Sequence, residues 1–256
     1  MIAISLAALR QPRNMAVIVT TIFNVAYYIW VRQSGGGSVQ QIKEDIVRYF
    51  RRLYEQGTIN LFEGNISARV GDVILMTPSR QNKETLRAEM ISELDIDGNV
   101  KESRFSPSSE YRMHLAVYRL RSDARAVVHT HSAFASAFAL AGQSIRNALA
   151  ETWMFYGGEI PCCSYGAPGT DAVFADFERY LVREDRDAVL LANHGLVTLG
   201  KDVEDAFSKA EAVEKLAKIT LLSRLLGGEQ PLPPGEAETL LERYIKSRKR
   251  ITEELQ

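Results

Sequence analysis

The apolar positions along the chain change their spacing as the sequence advances, and those changes mark out its elements. From Val39 to Gln56 they fall at Ile42, Ile46, Val47, Phe50, Leu53 and Tyr54, one face of a helix, with Gly57 behind as a stop. Residues 61–70 read as a loop entering a strand, Gly71-Asp72 as a tight turn and Val73–Met76 as the returning strand of a hairpin. Thr77-Pro78-Ser79-Arg80 interrupts it, and Ser92–Ile96 reads as a further strand turned at Asp97-Gly98-Asn99. Ser106 is expected to be the N-cap, and Pro107 the first residue, of a helix that buries Met113, Ala116, Val117 and Leu120.

Ala126–His131 follows as a buried strand, then a small-residue helix over Ser132–Leu140, then a strand over Ile160–Tyr165. Gly169-Thr170-Asp171 is expected to open a helix running to Val182. Ala188–Ala192 and Leu196–Leu199 are apolar strands joined by a tight turn at Asn193-His194-Gly195. Asp202 caps a long helix to Leu226, and Pro231–Gly235 links it to a charged terminal helix. Strands and helices mix without a repeated βαβ period, which predicts one α/β domain around a mixed sheet over residues 39–256.

Residues 1–38 do not share this pattern. Met15–Val31 is almost wholly apolar, flanked by Arg13 and Arg32, at the short limit of the roughly 17–25 residues that span a bilayer. Ser34-Gly35-Gly36-Gly37-Ser38 has the composition of a flexible linker. Two expectations follow: a membrane anchor over 15–31, or a working protein that starts near Val39. A cytoplasmic location is the favoured expectation.

Composition narrows the partners. With 31 basic and 32 acidic residues the formal net charge is −1, which offers no electrostatic case for a nucleic-acid ligand. Cys162 and Cys163 are adjacent, so a stapling disulfide framework is not expected and a reducing compartment fits.

Candidate chemistry starts from His129-Thr130-His131. Alternate residues of a strand share a face, so the two imidazoles point the same way. An isolated pair reads equally as strand-end polarity. His194, before a glycine turn at the end of another apolar strand, is a third of the chain's four histidines. Three nitrogen ligands with one position open describe a catalytic zinc site. Glu110, in a helix's first turn, is either a carboxylate stabilised by the helix dipole or one close to the metal that moves a proton. Ser108 and Ser109 offer hydroxyls and free backbone N–H groups at that helix start, suited to an anion such as phosphate. Gly64-Asn65 and Ser79-Arg80 lie in loops that complete such a site. His114, on the same helix, reads as a packing or hydrogen-bonding residue.

From Val39 onward the chain resembles the class II aldolase/adducin family. The resemblance is carried by Gly64-Asn65-Ile66-Ser67, Thr77-Pro78-Ser79, Ser108-Ser109-Glu110, His129-Thr130-His131, Gly169-Thr170 and Asn193-His194-Gly195, in that order. It implies a three-layer α/β/α sandwich around a mixed, largely antiparallel sheet. It also implies a homotetramer with active sites at subunit interfaces, and Zn²⁺ or another divalent ion on His129, His131 and His194. The family's sugar-phosphate aldolases place the carboxylate at the Glu110 position on the resting metal and then use it as acid/base. Substrate phosphate is implied on Gly64, Asn65, Ser79, Ser108 and Ser109.

Two departures stand out. The family's phosphate loop usually ends in glycine where this chain has Arg80, which adds a guanidinium suited to phosphate but a side chain in a loop that must approach closely. Tyrosines on a later loop and on the tail have as nearest counterparts Glu151 and Tyr244, two further candidate site residues.

The implied reaction is reversible retro-aldol cleavage of a ketose 1-phosphate, most like L-fuculose 1-phosphate, to dihydroxyacetone phosphate and an aldehyde. Pentulose-5-phosphate 4-epimerases, methylthioribulose-1-phosphate dehydratases and small decarboxylases of the family share the metal triad and stay open. So does a non-catalytic, adducin-like scaffold, against which the intact ligand set stands.

Overall fold

The computed structural model describes residues 38–256 except 102, 147, 148, 231, 255 and 256; the side chains of residues 151, 155 and 249–254 are also outside the description. The apolar run at 15–31, and with it the anchor and late-start expectations, lies outside the described residues. Lys43–Gln256 forms one compact unit. Among the described residues no helix is long and apolar enough to cross a membrane.

Seven strands form one sheet in the order β3-β2-β1-β4-β7-β6-β5. They are β1 (Asn65–Val70), β2 (Val73–Met76), β3 (Ser92–Leu94), β4 (Ala126–Thr130), β5 (Cys162–Cys163), β6 (Ala188–Leu191) and β7 (Gly195–Gly200). Every pairing is antiparallel except β5 with β6. The expected mixed, largely antiparallel sheet is therefore present. β4, β6 and β7 are buried along their whole length, which is why their sequences are nearly continuous apolar runs.

The helices are α1 (Val39–Glu55), α2 (Tyr111–Leu120), α3 (Ala133–Leu140), α4 (Ala150–Tyr156), α5 (Val203–Leu225) and α6 (Glu236–Glu254). They cover both faces of the sheet. Val127, Val197 and Leu199 pack with Met113 and Val117 of α2 and with Phe177 and Leu181. The alternate residues point the other way, where the Thr198 hydroxyl donates to the Ala206 carbonyl of α5 at 2.8 Å. Tyr49 of α1 stacks on Phe207 of α5 with ring centroids 4.9 Å apart. The three-layer α/β/α arrangement follows.

Several boundaries differ from expectation, each for a tertiary reason. Ser106 is not the N-cap of α2: the helix starts at Tyr111 with Glu110 at the cap. Pro107 instead bridges Pro78, with the Ser79 N–H on the Ser106 carbonyl (2.9 Å) and the Ser108 N–H on the Thr77 carbonyl (3.0 Å). The expected helix from Gly169 to Val182 is a 3₁₀ turn over Asp171–Phe174 and a π-helical turn over Glu178–Arg183. One cause is Arg121, whose guanidinium takes the Leu181 carbonyl at 2.8 Å. The strand expected over Ile160–Tyr165 keeps two residues, because the Ser164 N–H goes to the Asp176 carboxylate (2.7 Å). α4 carried no distinct sequence signal. Asp202 caps α5 as expected, accepting from the Asp205 N–H at 2.8 Å.

Candidate metal centre

β4 delivers His129 on the face that α2 covers, and His131 follows one residue beyond the strand end. β7 pairs with β4 and brings the hairpin turn with His194 alongside. Two glycines make the approach possible. A Cβ on Gly195 would meet the Thr130 carbonyl oxygen at 2.4 Å, His131 Cδ2 at 2.9 Å and His129 Cε1 at 3.3 Å. One on Gly64 would meet the His129 carbonyl oxygen at 2.9 Å, and Gly64 also holds φ +70°. Gly64 thus serves close packing behind His129.

The three imidazoles pack with ring centroids 4.8, 4.8 and 5.0 Å apart. Glu110 reaches them from the cap of α2, with Oε1 2.9 Å from His194 Nε2 and Oε2 3.4 Å from His129 Nε2. His129 Nε2 and His131 Nε2 lie 2.9 Å apart. One ligand atom from each of Glu110, His129, His131 and His194 lies within 4.8 Å of all the others. Ligands about 2.1 Å from a tetrahedral Zn²⁺ stand about 3.4 Å from one another, so small movements seat an ion among them. His129 donates Nδ1–H to the Leu196 carbonyl at 2.9 Å, which leaves the lone pair on Nε2 facing the cluster. Burial holds the His129 imidazole pKa down to about 3 against the pull of the Glu110 charge, so the ring is neutral and free to bind a metal. His194 Nδ1 is buried without a hydrogen-bond partner among the described residues. The donor set fits a divalent cation.

Burial works to raise the Glu110 pKa, but His129, His194 and Asn65 outweigh it and hold the carboxyl well below its usual range. Asn65 Nδ2 donates to Glu110 Oε2 at 2.7 Å. Its amide oxygen accepts from His114 Nε2 at 2.5 Å, so both ends of this candidate phosphate ligand are engaged inside the protein.

The remaining expected residues divide. Thr77-Pro78-Ser79 and Ser106–Ser109 are zipped together beside Glu110, so these segments do converge. Ser108 is buried, its Oγ accepts from the Glu110 N–H at 3.3 Å and its own N–H is spent on Thr77, correcting the expectation of a free N–H there. Ser109 is exposed and lines a crevice with Glu110, Gly169 and Thr170. Ser79 is half-buried and Arg80 exposed. Arg80 has φ 53°, the left-handed conformation that glycine adopts freely, so the arginine occupies a glycine-like backbone position. Tyr244 is buried and its hydroxyl donates to the Asp185 carbonyl at 2.9 Å and accepts from Arg248 at 3.0 Å. Those bonds tie it to a charged cluster under α6 and not to the histidines. Glu151 lies in α4, with its side chain outside the description.

Two neighbours carried no expectation. Glu63 stands 4.0 Å from His131 Nδ1, and its only sequence signal is that it precedes Gly64. Lys83 is buried with Nζ 4.7 Å above the Phe50 ring; burial pushes its pKa down to about 8 against the Glu63 charge.

Residues 44–221 match the profile of the Class II Aldolase and Adducin N-terminal domain. The chain belongs to the class II aldolase/adducin family. Within that family it is 34% identical over 184 residues to an L-fuculose phosphate aldolase of Methanocaldococcus jannaschii, covering 72% of this chain and 98% of the relative. It is 35% identical over 209 residues to a 5-deoxy-D-ribulose 1-phosphate aldolase of Bacillus thuringiensis serovar kurstaki, covering 80% and 96%. The structure of an L-fuculose 1-phosphate aldolase superposes with a TM-score of 0.74 at 30% identity, covering 80% of this chain and 96% of that one.

Proposed function

We propose that this family member catalyses reversible aldol cleavage of a ketose 1-phosphate, releasing dihydroxyacetone phosphate and an aldehyde. The observation that carries the reading is the convergence of Glu110, His129, His131 and His194. The ion is proposed to be Zn²⁺ or a similar divalent cation, held by the three histidines with Glu110 at hand. When bound, it supplies Lewis-acid stabilisation of the negative charge that develops on the ketose oxygens, worth several kcal/mol.

The chain's own residues handle the protons. Cleavage removes a proton from the hydroxyl beside the scissile carbon–carbon bond, and the bonding pair moves onto the ketose fragment as an enediolate. Glu110, aimed by Asn65 and His194 and ionised at rest, takes up the proton that the hydroxyl loses and delivers it to the carbon that lost its neighbour, so that one proton leaves oxygen and one reaches carbon. In the condensation direction it withdraws that proton, a role suited to a carboxyl that is ionised at neutral pH. Ser79 and Ser109, with Arg80, are proposed to hold the phosphate at the open side of the cluster. Asn65, whose amide is engaged at both ends, positions Glu110, while Ser108 Oγ accepts from the Glu110 N–H and keeps its hydroxyl proton for the phosphate. The same reading carries a homotetramer.

The substrate class is narrowed by the relatives' sugars: L-fuculose and 5-deoxyribulose both end in a methyl group, opposite the phosphate. Product analysis on a panel of 1-phosphorylated ketoses, with and without the terminal hydroxyl, tests the reading. Dihydroxyacetone phosphate released from a deoxyketose 1-phosphate supports it. Epimer formation or loss of water without cleavage overturns it.

A further inference from the structure

A buried chain of hydrogen bonds runs inward from Glu110. Asn65 Nδ2 meets Glu110 Oε2 at 2.7 Å, Asn65 Oδ1 meets His114 Nε2 at 2.5 Å, His114 Nδ1 meets Ser67 Oγ at 2.7 Å, and Ser67 Oγ meets the Tyr118 hydroxyl at 2.7 Å. Asn65 is 2% exposed, Tyr118 1%, and Ser67 and His114 are fully buried. Two periodicities interlock here. Glu110, His114 and Tyr118 are four residues apart on one stripe of α2, and Asn65 and Ser67 are two apart on one face of β1.

The direction of every bond follows from one end. An ionised Glu110 only accepts, so Asn65 must present its NH₂ there and its carbonyl to His114. His114 therefore carries its proton on Nε2, and its bare Nδ1 accepts from the Ser67 hydroxyl. The Ser67 oxygen then accepts from Tyr118. All four donors point toward Glu110, an alignment in which each bond polarises the next. Burial pushes the His114 imidazole pKa down to about 4, against the raising effect of Glu110, which keeps the ring neutral, with one donor and one acceptor. Desolvation also pushes the Tyr118 phenol up, so it remains a donor.

We propose that His114 is a positioning residue of the metal centre: its Nε2–H fixes the Asn65 amide, and the amide holds Glu110 at the ligand position. Without that donor the amide turns over freely, and a turned amide sets a carbonyl against the carboxylate. Glu110 then swings off the cluster. The proposal rests on the metal-site reading above and goes beyond it in assigning the tautomer and the residue that sets it.

The test is ion affinity, read by chelator competition with Zn²⁺ and with Co²⁺ and no sugar present. Wild type is compared with Glu110→Gln, His114→Leu, His114→Gln and the Glu110→Gln/His114→Leu double variant, each checked for folding by circular dichroism. His114→Leu should weaken the ion about 10–100-fold, the usual cost of losing an outer-shell partner. His114→Gln, whose amide donates where the imidazole did, should recover most of that. In the double variant His114→Leu should add nothing to Glu110→Gln, because both act through one ligand. Wild-type affinity in His114→Leu, or a loss that adds in full to that of Glu110→Gln, overturns the proposal. If His114→Leu does not fold, Ser67→Ala takes its place: a measurable loss supports the proposal and wild-type affinity overturns it. A wild-type chain that binds neither ion defeats the metal-site reading and the proposal with it, whereas ion binding indifferent to His114 defeats the proposal alone.

Discussion

Gly195 offers a perturbation whose size can be worked out before it is made. Replacing its hydrogen by a methyl group places a carbon 2.4 Å from the Thr130 carbonyl oxygen, about 1 Å inside ordinary contact, and 2.9 Å from His131 Cδ2. The oxygen is strand backbone and does not yield cheaply. Over-packing of this kind costs about 1–3 kcal/mol. For a chain of this size each kcal/mol lowers Tm by about 2–4 °C. Relief comes from parting the two strand ends or pushing the His131 ring outward, and either displaces a ligand by several tenths of an ångström. Sites of this type need their geometry to within about 0.5 Å. Gly195→Ala should therefore melt about 2–12 °C lower and bind Zn²⁺ at least about tenfold more weakly by chelator competition. Gly142→Ala is the control: Gly142 has φ +61° with nothing within 4 Å of a Cβ, so it should lose some stability and no ion affinity. Unchanged ion binding in Gly195→Ala would show that the glycine does not set the histidine geometry.

Other outcomes follow from the same structure. Glu110→Gln should still take up the ion on three histidines at saturating concentration while turnover falls about 10²–10⁴-fold; near-normal turnover removes Glu110 from the acid–base role. His129→Ala should lose ion and activity together, so an active variant measured beside its metal content refutes the ligand assignment. Asp187 accepts from Arg121 (3.0 Å), Lys209 (3.0 Å) and Arg248, which keep Asp123 and Asp205 as further partners, so Asp187→Ala should destabilise the chain in urea unfolding by less than the roughly 3–5 kcal/mol of a fully unpaired buried charge. The His114 pKa is about 4 in the folded chain against about 6.5 unfolded, so the unfolded state binds the extra proton between those values. Metal-free protein should thus lose stability as pH falls from about 6.5 to 4, and His114→Gln should flatten the slope by about 1.4 kcal/mol per pH unit.

The histidine cluster was legible because each of its members rides on a period that sequence displays. His129 and His131 sit two apart at the end of an apolar strand, and His194 sits before a glycine at the end of another. What was illegible depends on pairing between distant segments. Ser106-Pro107 looks like a helix start because Pro lacks an N–H, but an extended residue beside Pro78 needs none either, and the ladder to Thr77 and Ser79 decided between them. The bonds of the Asn65 amide to Glu110 and His114 were illegible because nothing local shows that β1 lies against them. The helix expected after Gly169 gave way to a 3₁₀ and a π turn, with Arg121, sixty residues upstream, drawing on the Leu181 carbonyl.

A Lewis acid held by the three histidines would read two adjacent oxygens of a ketose and nothing further along the sugar. The product is decided by where the next proton goes, which belongs to groups outside the triad. In this chain Glu110 is tied to Asn65 at 2.7 Å and lies 2.9 Å from His194, so in the proposed role it would offer one proton position on the α2 side. The residues free to differ lie at the rim: Arg80 in its glycine-like backbone, exposed Ser109, Glu63 beside His131, and the Gly169-Thr170 loop, beside which Asp171 pairs with Arg112 at 2.7 Å. Exchanging rim residues should change which ketose is taken and what leaves it, with the ion retained. Exchanging the histidines should end ion binding and turnover together.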